Sequence, residues 1–195
     1  MNFSVKNCRV SVSFYFFALL CAAAFFDRSG TMLWGLLAAL LHECGHLAAM
    51  FFIPGHAPRE VSFTPFGIKI SNSPLSEFAG GNGTVLAAGS VTNFLSAALT
   101  FGFLPAFAGV SAVLGLLNIL PVEGMDGGGI LRLWLQRHMP ESNAHRVVRR
   151  VSWATIVVLG LSGLTILLDT GYNFTLLGAA AALALAGMKK RTGED

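Results

Sequence analysis

Apolar residues fall in six long runs, at about 10–26, 31–53, 83–104, 106–122, 151–168 and 172–188. Polar and basic residues gather between them. Each run is close to the ~20 residues that cross a bilayer as a helix. The third and fourth are parted only by a turn around Pro105. The pattern predicts an all-α polytopic membrane protein with about six transmembrane helices. The stretch 54–80 departs from it. There Glu60 to Ser71 alternates roughly about a Pro65-Phe66-Gly67 turn, so a small membrane-associated β-hairpin is expected between the second and third helices. The plainer form of that expectation is an ordinary interfacial hairpin.

Composition agrees. Of 195 residues 54% are apolar and 12% charged, about half the charge of a soluble domain. Mean hydropathy is +0.65. A soluble domain would lack charge for its surface, and a disordered chain would have more charge and less apolar content.

The formal net charge is +3, and its distribution matters more than its size. With the N-terminus in the cytoplasm and six spans threaded, the inside segments hold Lys6, Arg9, Arg59, Lys69, Arg132, Arg137, Arg146, Arg149, Arg150, Lys189, Lys190 and Arg191. Arg28 alone lies outside. The positive-inside rule therefore places both termini in the cytoplasm of a multi-pass cell-membrane protein, the bacterial inner membrane being the expected site. The basic run near Arg146 reads as an anchor to anionic lipid. Without aromatic interleaving or a binding motif, nucleic acid is not an expected partner. Lys6 and Arg9 before an apolar run resemble a signal peptide, with Ala22-Ala23-Ala24 as a possible cleavage site; an uncleaved first span keeps the cytoplasmic start. Cys8, Cys21 and Cys44 are odd in number and form no CxxC pair, so no disulfide framework is implied.

Polar residues inside a span are costly and mark function. The second run reads Leu41-His42-Glu43-Cys44-Gly45-His46-Leu47. On a helix, His42 and His46 lie on one face a turn apart. This is the H-E-x-x-H pattern: two imidazoles on Zn²⁺, with Glu43 as general base toward water. Gly45 lets another backbone approach, and Cys44 faces away and reads as packing. A catalytic zinc takes three protein ligands. Pro121 and Gly124 break the end of the fourth run, and Asp126 follows among glycines. Broken backbone at this depth lines a cavity or is buried, so Asp126 is the expected third ligand. Glu123 is its competitor, and a helix-capping role for Asp126 is the alternative.

His42-Glu43-x-x-His46, taken with Asn118-x-x-Pro121 and Asp126-Gly127, resembles the site-2 protease family of intramembrane zinc metalloproteases (peptidase M50). The six-span layout is similar to the branch of stage IV sporulation protein FB. The resemblance covers about residues 31–131. It implies zinc, one per chain, on His42, His46 and Asp126, with Glu43 activating water. Ala88-Gly89-Ser90-Val91-Thr92-Asn93 is similar to the family's glycine-to-asparagine stretch. Asn93 and Asn118 are then expected at the substrate, Asn93 alternatively making an interhelical hydrogen bond. The hairpin would pair with unwound substrate. Ser90 stands where a Pro is frequent, and Gly129 where an Arg is expected. His56 reads as a surface residue. The chain is expected to be a single membrane-embedded metalloprotease domain over 1–195, without a PDZ or CBS domain.

The expected function is an intramembrane endopeptidase acting on a membrane-anchored or membrane-associated protein. The resemblance suggests a transcription factor, an anti-sigma factor or a pro-sigma factor. Further partners would be the lipid bilayer and separate membrane regulatory proteins. The rival readings are a zinc-binding transporter and a non-catalytic membrane scaffold. A zincin with a downstream Glu ligand is a third.

Overall fold

The computed structural model describes residues 2–5, 8–12, 27, 30–53, 58–64, 67–72, 82–172 and 174–192. Six helices occur among them: α1 (Thr31–Phe52), α2 (Asn82–Thr100), α3 (Pro105–Ile119), α4 (Asp126–Gln136), α5 (Glu141–Thr170) and α6 (Thr175–Thr192). Four strands form one sheet in the order β1 (Asn2–Val5), β2 (Cys8–Val12), β3 (Pro58–Thr64) and β4 (Gly67–Asn72). The chain divides into two compact units, Met1–Leu117 and Asn118–Asp195.

Among the described residues three helices, against the six spans expected, are long and apolar enough to cross a membrane: α1, α2 and α5. Two apolar runs yield shorter helices. In α3 only 15 residues are helical, because Pro105 starts it and Pro121 prevents its continuation. The apolar part of α6 covers Thr175–Leu185. The run at 10–26 also begins differently, since Cys8–Val12 is a strand paired antiparallel with β1 and parallel with β3. Val10 and Val12 alternate with Arg9 and Ser11, a period of two that suits a strand better than a helix. Residues 13–26 lie outside those described, as do His56 and the Pro65-Phe66 turn. Strands β3 and β4 pair antiparallel, Thr64 opposite Gly67.

In the first unit, α1 starts at Gly30, whose φ of 73° is left-handed. Asp27 Oδ2 accepts hydrogen bonds from the amides of Met32 (2.6 Å) and Leu33 (3.1 Å), satisfying donors that a helix start leaves unpaired. α1 lies close against α2 because both carry glycine at the crossing. A Cβ on Gly45 would stand 2.8 Å from the Ala88 carbonyl oxygen, and small residues allow such approach. α3 joins them through Ser111, whose hydroxyl donates to the Asn93 carbonyl at 3.1 Å. Trp34 of α1 also meets Phe107 of α3, ring centres 5.7 Å apart.

Polarity in this unit is inverted relative to a soluble domain. His42, His46, Ser90, Asn93 and Ser111 are buried, while Leu37, Phe51, Phe52, Leu95 and Leu99 are exposed. Lipid as solvent favours this order. Cys44 is among the exposed residues, so it faces the surroundings rather than packing inside.

In the second unit, α4 and α5 share a core of Leu135, Ala144 and Val148, with Leu131, Met139 and Val147 against it. α5 ends at Gly171, with φ 77°, whose amide donates to the Leu167 carbonyl at 2.7 Å. α5 and α6 touch at Gly163, where a Cβ would lie 2.6 Å from the Leu177 amide nitrogen.

Candidate metal centre

The helical spacing of His42 and His46 brings both rings to one face of α1. They meet edge to face, centres 4.7 Å apart, with their Nε2 atoms 3.1 Å apart. Both are buried, 5% and 8% exposed. His46 Nδ1 lies 2.7 Å from the Val85 carbonyl oxygen on α2. A carbonyl only accepts, so Nδ1 must carry the proton. In the neutral ring this leaves a lone pair on Nε2, the atom that faces His42. A backbone acceptor behind a ligating histidine is the usual way such a tautomer is held.

Space in front of the rings comes from Gly89. A Cβ there would stand 2.5 Å from His46 Nε2 and 2.7 Å from His42 Cε1. No side chain fits without displacing the rings. Val85, Gly89 and Asn93 lie on one stripe of α2, all buried, as the helical period requires. Asn93 is fully buried, and its Nδ2 lies 3.4 Å from His42 Nδ1. Gly115 on α3 lets Asn93 sit close, since a Cβ there would be 3.1 Å from the Asn93 Cβ. Glu43 is half-buried beside His42.

The second unit carries the other acidic candidates. The helix breaks after Ile119, as Pro121 and Gly124 predict. Val122 donates to the Leu120 carbonyl (2.7 Å) and Met125 to the Val122 carbonyl (3.0 Å), with Gly124 at φ 98°. Asp126 is the first residue of α4 and half-buried. A carboxylate there also suits the positive end of the helix dipole. Gly127 and Gly128 abut the backbone of Ile119, Leu120 and Val122 so closely that neither accepts a Cβ. Glu123 is engaged elsewhere: Oε1 lies 3.3 Å from His145 Nε2, and its amide donates to Ser152 Oγ at 3.0 Å. Asn118 is half-buried in the last turn of α3.

The donor set fits a zinc ion. Two nitrogens on one tetrahedral zinc stand about 3.3 Å apart, given bonds of ~2.0–2.1 Å. The two Nε2 atoms stand 3.1 Å apart, one committed as an acceptor. Sequence reading missed several contributors. Val85 acts through its backbone, which leaves no trace in side-chain chemistry. Ser111, Ser152 and His145 are polar residues within helices α3 and α5, and the same rule of polarity at membrane depth points to them.

Residues 100–159 match the model of Peptidase family M50. The structure is similar to that of the Site-2 Protease from Methanocaldococcus jannaschii, with a TM-score of 0.60 at 15% identity. The match covers 97% of this chain and 94% of that one.

The chain has the fold of a site-2 protease. The M50 segment holds Asn118, Glu123, Asp126, His145 and Ser152, whereas the histidine pair lies upstream of it. No curated protein matches the sequence.

Proposed function

We propose that this protein is a membrane-embedded zinc endopeptidase of the site-2 protease type. The observation that carries the reading is the buried histidine pair of α1, with His46 held by Val85 so that its Nε2 lone pair faces His42. A soluble scaffold has no need to bury two imidazoles nitrogen to nitrogen in a helix long enough to span lipid. The M50 match and the site-2 protease fold support the same reading.

Asp126, which opens α4, is proposed as the third ligand of one zinc ion held by His42 and His46, on the resemblance of Asp126-Gly127 to the site-2 protease motif. The ion would supply Lewis-acid polarisation of the scissile carbonyl. Glu43 accepts the proton of the attacking water and returns it to the leaving amine nitrogen. Asn118 is proposed to contact substrate. The engagement of Glu123 with His145 supports Asp126 over Glu123.

The substrate is proposed to be a membrane-associated protein, of the transcription-factor, anti-sigma or pro-sigma kind. We place the sheet at the cytoplasmic face. Parallel pairing of β2 with β3 brings the segment carrying Arg9 and the segment carrying Arg59 to one side, in keeping with the distribution of basic residues. Multi-pass topology with both termini cytoplasmic is part of the proposal, supported by the distribution of basic residues. A branch similar to stage IV sporulation protein FB is part of the proposal.

The test is a comparison of membrane-protein fragments from cells holding wild-type protein or Glu43→Gln. Fragments present only with the wild type, together with zinc retained by both purified proteins, support the endopeptidase. Metal-dependent ion flux in proteoliposomes, or identical fragments from both, would overturn it in favour of a transporter or scaffold.

A further inference from the structure

We infer that Asn93 is a positioning residue that orients His42 through its Nδ1 nitrogen, leaving Nε2 to face the ion. The inference rests on the metal reading above. The hydrogen-bond chain makes the case. His46 Nδ1–H donates to Val85, so His46 Nε2 is an acceptor. His42 Nε2 lies 3.1 Å from it, so both Nε2 atoms share the face proposed for the ion and Nδ1 is the nitrogen left to orient the His42 ring. The Asn93 amide lies against that nitrogen, its Nδ2 3.4 Å from His42 Nδ1. Asn93 Oδ1, the other end of the same amide, is buried with no hydrogen-bond partner among the described residues.

With both Nε2 lone pairs turned to the proposed ion, neutral His42 would carry its proton at Nδ1, and an amide nitrogen there would face another donor. A half turn of the amide exchanges nitrogen for oxygen in the same space. Oδ1 accepts from His42 Nδ1–H, as Val85 does from His46. Both ligands then have an acceptor behind them, the arrangement that orients metal-binding imidazoles. Burial of Asn93 at 0% exposure suits this role better than contact with substrate.

The experiment uses the full chain in detergent, with zinc affinity read by competition against a chromophoric chelator. Asn93→Asp keeps an acceptor and loses the donor; Asn93→Leu has neither. Asn93→Leu should weaken zinc binding about 10- to 100-fold, while Asn93→Asp stays within a few-fold of wild type. In zinc-loaded, ¹⁵N-histidine-labelled wild type, His42 should carry its proton at Nδ1. Should Asn93→Leu fail to fold by circular dichroism, Asn93→Ala serves in its place. Equal zinc affinity in wild type and the acceptor-free variant overturns the inference, as does a loss in Asn93→Asp equal to that in Asn93→Leu. Folded wild type that binds no zinc overturns the metal reading itself, a separate outcome.

Discussion

His46 donates its Nδ1 proton to the carbonyl of Val85, 39 residues downstream and 2.7 Å away. One backbone oxygen of α2 thereby decides which nitrogen of a histidine on α1 is available to a ligand. The helix crossing that provides it depends on Gly89. Gly89→Ala should abolish this arrangement, since the added carbon would meet His46 Nε2 at 2.5 Å and His42 Cε1 at 2.7 Å. Overpacking of this kind costs about 1–3 kcal/mol. The expected outcome is a folded protein with at least tenfold weaker zinc binding, read by chelator competition and thermal unfolding. Wild-type affinity in Gly89→Ala would show that the rings are not confined as described.

Glu43→Gln should leave zinc stoichiometry intact and reduce proteolysis by about 10²–10⁴-fold. The amide keeps the shape of the side chain and removes its basicity. Zinc content by elemental analysis, with cleavage of a membrane-anchored test protein, separates the two effects. A variant that cleaves normally would end the assignment of Glu43 as base.

The two acidic residues after the helix break predict opposite results. Asp126→Asn should weaken zinc binding strongly. Glu123→Gln should not, because its carboxylate lies against His145; being partly exposed, that pair contributes at most about 1 kcal/mol. Titration of both variants with zinc decides between them. Loss on Glu123→Gln with retention on Asp126→Asn would transfer the ligand role to Glu123.

Much of this was legible in the chain. The apolar runs from residue 31 onward locate α1, α2, α3 and α5, and Pro121 with Gly124 marks the break before Asp126. The H-E-x-x-H spacing singles out His42 and His46 because few forces other than ligation put two imidazoles and a carboxylate in an apolar helix. Other features were obscured for identifiable reasons. Cys8–Val12 alternates as a strand, but its valines run on into an apolar stretch that reads as a span. Helix length within a run depends on where breakers fall, so α3 stops at Ile119 although apolar residues continue. The Val85 carbonyl is invisible in sequence, as every residue has one. Asn93 shows as a polar residue in a span, yet only its distance to His42 Nδ1 separates a positioning role from contact with substrate.

Gly127 and Gly128 give the most local of the predictions. Both lie in the first turn of α4, where the helix packs on the carbonyl end of the break at Ile119–Val122. A methyl group at either position would strike backbone rather than a movable side chain, so the strand of chain carrying Asp126 would have to shift. Gly127→Ala and Gly128→Ala should each lower the midpoint of thermal unfolding, consistent with about 1–3 kcal/mol of overpacking, and each should weaken zinc binding although neither residue is a ligand. Gly178→Ala in α6 is the control, since a Cβ there meets nothing within 4 Å. Because a ligand that binds only the folded state adds stability by mass action, about 2.7 kcal/mol at a hundredfold excess over Kd, added zinc should raise the unfolding midpoint of wild type and Gly178→Ala more than that of the other two. Equal zinc-dependent stabilisation in all four proteins would mean that the close packing of α4 on the break does not govern the placement of Asp126.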